Sequence, residues 1–178
     1  MRIPFALPAL AFLMASSAAC HDAGETTARI EEGGWKSADI EEVHLAWLEM
    51  EDSYRFTVTA PTTGWVAVGF GGGPAMKDVD MVIGYFSDGE GHIRDDHGTS
   101  PVTHVADTDL DGSDDIIEYR ISEADGSTEM TFVVPRSPGD DLDAELSPGA
   151  AVRVTVAYGD DDGFTGMHSA AHSAEVTL

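Results

Sequence analysis

Val152-Arg153-Val154-Thr155-Val156-Ala157-Tyr158 sets a bulky apolar side chain at every second position, with Arg153, Thr155 and Ala157 between. Successive side chains of a strand point to opposite faces, so this spacing predicts a strand with one face buried. The same period runs upstream through Val43, Leu45 and Trp47, through Tyr54, Phe56 and Val58, through Ile117, Tyr119 and Ile121, and through Met130, Phe132 and Val134. Trp65–Phe70 and Val79–Phe86 are more continuously apolar, as expected of strands covered on both faces. Turn-forming clusters separate the runs: Pro61-Thr62-Thr63-Gly64, Ser87-Asp88-Gly89, Ala124-Asp125-Gly126, Ser147-Pro148-Gly149 and Gly159 to Gly163. With no sustained helical period and no internal repeat, this predicts an all-β, antiparallel, immunoglobulin-like β-sandwich of nine to eleven short strands.

The 178 residues suffice for one domain with a core of its own plus an export segment. Arg2, the apolar run Ile3–Ala15 and the small residues Ser16 to Ala19 read as a signal peptide over 1–19. It is too short and weakly flanked for a permanent span. Cys20, the only cysteine, follows directly, so no intramolecular disulfide forms. Its position resembles the lipobox of bacterial lipoproteins, apart from Ser17 where a leucine is usual; the other reading is plain cleavage beside an incidental thiol. Residues 20–34 are polar and without period, suiting a flexible tether, and 35–178 form the folded domain. An exported protein held at the membrane through Cys20, facing the periplasm or cell exterior, is the expected setting.

Lys and Arg total 9 against 33 Asp and Glu, a formal charge of −24. Such a surface repels nucleic acid and anionic headgroups, which excludes nucleic acid as a direct partner. It serves as a solubilising coat, or it steers a basic redox partner; the sequence leaves both open.

Two stretches carry candidate chemistry. Gly64-Trp65-Val66-Ala67-Val68-Gly69-Phe70 leads through Gly71-Gly72-Gly73-Pro74-Ala75 to Met76-Lys77-Asp78-Val79-Asp80-Met81-Val82-Ile83-Gly84-Tyr85, a methionine beside a glycine-rich crossing. Ala157-Tyr158-Gly159 leads through Asp160-Asp161-Asp162-Gly163 to Phe164-Thr165-Gly166-Met167-His168-Ser169, a histidine in an irregular segment. A thioether and an imidazole form a known axial pair for haem iron. Taken alone, Met76 is as readily core filler, like Met81 and Met130, and His168 an exposed loop histidine.

The ordered elements resemble DOMON domains over residues 35 to 178: Gly-Trp, a strand ending Gly-Phe, Met-Lys with Asp80, then Thr131-Phe132 leading to Arg136, Asp140 to Asp143, Ala157-Tyr158-Gly159 and a late histidine. In haem-binding members such as the cytochrome domain of cellobiose dehydrogenase, the resemblance implies haem b between Met76 and His168, with electron transfer as its use and no catalysis of its own. Trp65, Phe70, Tyr158 and Phe164 are the candidate pocket residues. Relatives usually carry Arg and Gly after the histidine, where this chain has Ala171 and His172, which leaves His172 as an alternative ligand. A redox partner protein, membrane-bound or otherwise, follows from that reading. The rival is a sugar- or other ligand-binding DOMON module without haem, in which Trp35, Trp47 and Trp65 stack on the ligand. His44, His92, His97 and His104 receive no role.

Asp107-Thr108-Asp109-Leu110-Asp111-Gly112, with Asp115 and Glu118 downstream, satisfies the D-x-D-x-D-G-x5-E spacing of calcium loops. The flanks read as strands rather than helices, so a simple acidic turn stands beside Ca2+ as an explanation.

Overall fold

The computed structural model describes residues 28–73 and 75–178. The signal segment 1–19, Cys20 and the tether up to residue 27 lie outside the described residues. Among the described residues are twelve strands: β1 (Arg29–Ile30), β2 (Lys36–Ile40), β3 (Val43–Glu49), β4 (Ser53–Ala60), β5 (Val66–Gly71), β6 (Val79–Ser87), β7 (Glu90–Ser100), β8 (Thr103–Ala106), β9 (Glu118–Ala124), β10 (Ser127–Pro135), β11 (Ala151–Tyr158) and β12 (Ala170–Thr177). They form two six-stranded antiparallel sheets, ordered β1-β2-β3-β4-β10-β9 and β12-β11-β5-β6-β7-β8. The sandwich is as predicted, with twelve strands against the nine to eleven expected.

Alternation builds the core. On the first sheet Trp47, Phe56 and Phe132 lie opposite one another on β3, β4 and β10, and all three are fully buried. The second sheet answers with Val66, Val68 and Phe70 from β5 and with Val154 and Val156 from β11. Phe70 closes on Phe56 at a centroid distance of 4.9 Å. The second sheet is also apolar outside: Trp65, Ala67 and Ile83 form a separate buried cluster there, with Tyr85 and Phe164 packed on it. That outer layer explains why Trp65–Phe70 and Val79–Phe86 are apolar at consecutive positions rather than alternate ones.

A polar knot ties the turn before β5 to the end of β11. The Thr62 hydroxyl donates to the Gly159 carbonyl at 2.7 Å and accepts from the Gly64 N–H at 3.0 Å. The buried Thr128 hydroxyl lies 3.0 Å from each of the carbonyls of Thr62 and Gly64. Thr62→Val keeps the shape but strands a buried carbonyl and a buried N–H, so it is expected to cost about 1–3 kcal/mol. Urea unfolding measures it against Thr177→Val on the exposed edge of β12, expected within about 0.5 kcal/mol of the parent.

Candidate functional site

Residues of β5, β6, β11 and β12 that face away from the sandwich floor a cleft of about 590 Å³ on the outside of the second sheet. This is within the range of small-molecule and cofactor pockets. The floor is flat because its side chains are small, Ala67, Gly69, Ala157 and Ala171 among them, with Trp65, Met81 and Ile83 as the bulkier part of the lining. Met76 enters the cleft from the crossing between β5 and β6, and His168 from the loop between β11 and β12. The structure therefore brings together two residues 92 positions apart in the chain, on separate loops.

Each loop is anchored beside its candidate ligand. The crossing turns at Gly71 and Gly72, both at φ +68°. It then docks on the end of β7, where the Asp78 N–H donates to the Gly98 carbonyl at 2.8 Å, and closes on itself through the Val79 N–H, which donates to the Met76 carbonyl at 3.1 Å. A Cβ on Gly98 would stand 1.6 Å from the Met76 carbonyl oxygen, so only glycine permits this approach. After His168, the Ser169 N–H donates to the Tyr158 carbonyl and the Ser169 hydroxyl to Asp160, both at 2.7 Å.

The other sequence-predicted pocket residues divide by face. Trp65 lines the cleft, and Phe164 packs beside it, 5.0 Å from the Tyr85 ring and under the Arg94 guanidinium at 4.6 Å. Phe70 does not reach the cleft, because it shares a face with Val66 and Val68 inside the sandwich. Tyr158 likewise follows Val154 and Val156 inward, and its hydroxyl donates to Glu42 at 2.7 Å. His172 stands opposite Val156 on that inward face, with its Nε2 3.2 Å from the same Glu42 carboxylate. Only His168 of the two histidines lines the cleft.

His104, given no role by the sequence, lines the cleft too. Its Nδ1 is hydrogen-bonded to the fully buried Asp96, which also accepts from Arg94 at 2.6 Å. Burial opposes ionisation of Asp96, but the bonds from His104 and Arg94 outweigh it and hold the carboxyl below its usual range. Arg153 adds a second basic side chain to the lining. Arg153 is among the arginines, with Arg94, Arg120 and Arg136, that the sequence offers for propionates without choosing among them, whereas His104 does not stand out, since the pairing of β7 with β8 is what brings Asp96 beside it.

The predicted calcium loop is rearranged. Asp107 is buried, whereas Asp109 and Asp111 are exposed on a short 3-10 turn and Glu118 points outward to Arg55 at 3.0 Å. The strand flanks keep those oxygens from wrapping one centre. Asp107 instead meets Asp140 and Asp143 of the loop after β10, Asp143 in turn meets Asp80 of β6 and Asp95 of β7, and Asp115 joins through its N–H, 3.0 Å from Asp95. Burial first, and then mutual repulsion, raises these carboxyls: Asp107 to about 6, Asp80 to about 7, Asp95 to about 8 and Asp143 to about 9.

A family model for the DOMON domain matches residues 39–159. No curated protein matches the sequence. Among solved structures, the chain is similar to the cytochrome b domain of pyranose dehydrogenase from Coprinopsis cinerea, with a TM-score of 0.61 and 12% identity over 86% of this chain and 88% of that one. It is also similar to the cytochrome domain of Myriococcum thermophilum cellobiose dehydrogenase, with a TM-score of 0.57 and 10% identity over the same shares. At such identities the likeness is one of fold.

Proposed function

The chain belongs to the DOMON family, and on that footing we propose that it holds haem b in the outer cleft, ligated by Met76 and His168, and passes electrons to a partner protein. The observation that carries this reading is the convergence of a thioether and an imidazole from two separate loops on one flat-floored cleft. Haem bound there supplies reversible one-electron chemistry, and the methionine ligand raises its reduction potential. The chain's own residues do the rest. Ala67, Gly69 and Ala157 keep side-chain bulk off the sheet face, Trp65 and Ile83 add apolar lining, and Arg153 and His104 would offer cationic or hydrogen-bonding ends to propionates. With Met76 and His168 both holding the iron, the site would suit electron transfer rather than substrate turnover. Both neighbouring folds are described as cytochrome domains, which supports the same reading.

The sugar-binding alternative is less well served. Trp47 is fully buried in the core and Trp65 is 5% exposed, so two of its three stacking platforms lie flat against protein. We further propose that the chain is exported and lipidated at Cys20, which would place the cleft near a membrane-bound partner and raise their effective concentration.

Purified protein titrated with haem is expected to develop a sharp Soret band that shifts on reduction by dithionite. Met76→Ala and His168→Ala are each expected to weaken haem affinity by more than about 10–100-fold, the range for losing a ligand's supporting partner. Met76→His is expected to keep haem and lower its potential. Folded protein that takes up no haem, or variants that bind it as the parent does, would overturn the proposal.

A further inference from the structure

We propose that a calcium ion binds between the two sheets, at the end of the sandwich closed by the loop after β10, held by carboxylate oxygens of Asp80, Asp95, Asp107 and Asp143. This site is separate from the cleft. Side chains alternate along β7, so Asp96 faces outward to His104 while Asp95 faces inward, opposite Val82; Asp80 is inward on β6, opposite Phe70.

The geometry has the dimensions of a cation shell. One carboxylate oxygen from each of Asp80, Asp95 and Asp143 lies within 4.8 Å of the others, and the same holds for Asp107, Asp140 and Asp143, two triads that share Asp143. Oxygens bound to one calcium at 2.3–2.6 Å can stand no farther apart than about 4.6–5.2 Å. Asp80, Asp95, Asp115 and Asp143 line a small void of about 10 Å³, roughly the room of a single water-sized occupant.

Unpartnered atoms point into this cluster. Asp107 is 1% exposed and Asp95 4%. Neither oxygen of the Asp107 carboxylate has a hydrogen-bond partner among the described residues, nor has Oδ1 of Asp95 or Oδ2 of Asp143. Meanwhile the opposite oxygen of Asp95 is held by the Asp115 N–H at 3.0 Å, and an Asp80 oxygen by the Ala144 N–H at 2.9 Å. Backbone donors thus fix the carboxylates while leaving an acceptor free on the inner side. A buried acceptor without a donor costs free energy, and several carboxylates without a cation cost more. A hard divalent ion seated beside Asp143, the residue that both triads share, gives these acceptors a positive partner. Calcium fits better than magnesium, which keeps most of its waters and seldom occupies an all-protein carboxylate cage.

Calcium added to the full-length, EDTA-treated chain is expected to raise Tm by about 5–10 °C at about a hundred times Kd, and calorimetry is expected to show about one ion per chain. Asp109→Asn, on the exposed turn, is expected to keep that shift. Asp95→Asn and Asp107→Asn are expected to lose it, yet in EDTA to melt at or above the parent, because each removes a mutually repelling carboxyl. The EDTA melt therefore separates loss of the site from loss of the fold. A parent with no shift and no saturable heat at about 10 mM calcium, above the weakest extracellular modules, overturns the proposal. So does a shift that survives in both buried-site variants, or one that magnesium reproduces in full.

Discussion

Phe56→Ala is expected to destabilise the folded chain by about 3–5 kcal/mol, the range for emptying an aromatic site in a core that cannot collapse around the gap. Phe56 is fully buried at the middle of β4, where it stands opposite both Trp47 on β3 and Phe132 on β10. Its ring stacks on Phe132 at 5.4 Å and reaches across the sandwich to Phe70 at 4.9 Å. Four large rings from both sheets thus close on one point. Removing the central one leaves a void bounded by hydrogen-bonded strands on two sides, which backbone relaxation cannot fill. A single domain is commonly stable by only about 5–15 kcal/mol, so the loss takes a large part of the whole. Urea unfolding at fixed calcium and without haem measures it directly. Thr57→Ala, one residue along and on the opposite face of β4, is expected to change stability by under about 1 kcal/mol, since its hydroxyl only meets that of Thr131 at the half-buried surface. Equal losses at the two positions would contradict the assignment of faces.

The sandwich was legible because most of its strands bury one face, and alternation is the direct imprint of that. Among the strands that escaped sequence reading, β7 from Glu90 to Ser100 is the most instructive. Its outward side carries Arg94 and Asp96, which together hold the cleft-lining His104, and its inward side gives Asp95 and His97 to the acidic end of the sandwich. A strand with polar work on both faces carries no hydrophobic period. Local rules fail where a site displaces them, and here the failure points to the site.

The pocket was legible in part for a related reason. Met76 and His168 are loop residues, so their convergence depends on sheet order, which the sequence does not fix; only the family resemblance paired them. Phe70 and Tyr158 were misplaced although the information was present. Phe70 is even-spaced from Val66 and Val68, and Tyr158 from Val154 and Val156, so the alternation that identifies each strand also turns these rings inward. The carboxyl cluster was beyond reach in the sequence: Asp80 and Asp143 are 63 residues apart, and the spacing pattern drew attention to Asp109, Asp111 and Glu118. Only Asp107 and Asp115 belong to both the pattern and the buried group.

Gly98→Ala is expected to weaken haem binding by about 10–100-fold while leaving the sandwich folded, although Gly98 carries no ligand atom. The added Cβ would meet the Met76 carbonyl oxygen at 1.6 Å, the Met76 carbonyl carbon at 2.7 Å and the Val79 nitrogen at 3.3 Å. All three are backbone atoms, so no rotamer change relieves the overlap and the segment from Ala75 to Asp78 must lift from β7. Lifting breaks the bond from the Asp78 N–H to the Gly98 carbonyl and withdraws the Met76 thioether from the cleft. His168 is tied to the β11–β12 loop and stays in place. The expected signature is therefore selective: the sulfur-to-iron charge-transfer band disappears, the potential falls, and imidazole ligation persists. The core contributes nothing to the change, because the displaced segment packs outside the second sheet. Gly139→Ala, whose Cβ meets nothing within 4 Å, is expected to match the parent in spectrum and potential. A Gly98→Ala protein that kept the charge-transfer band would mean that this contact does not position the Met76 sulfur.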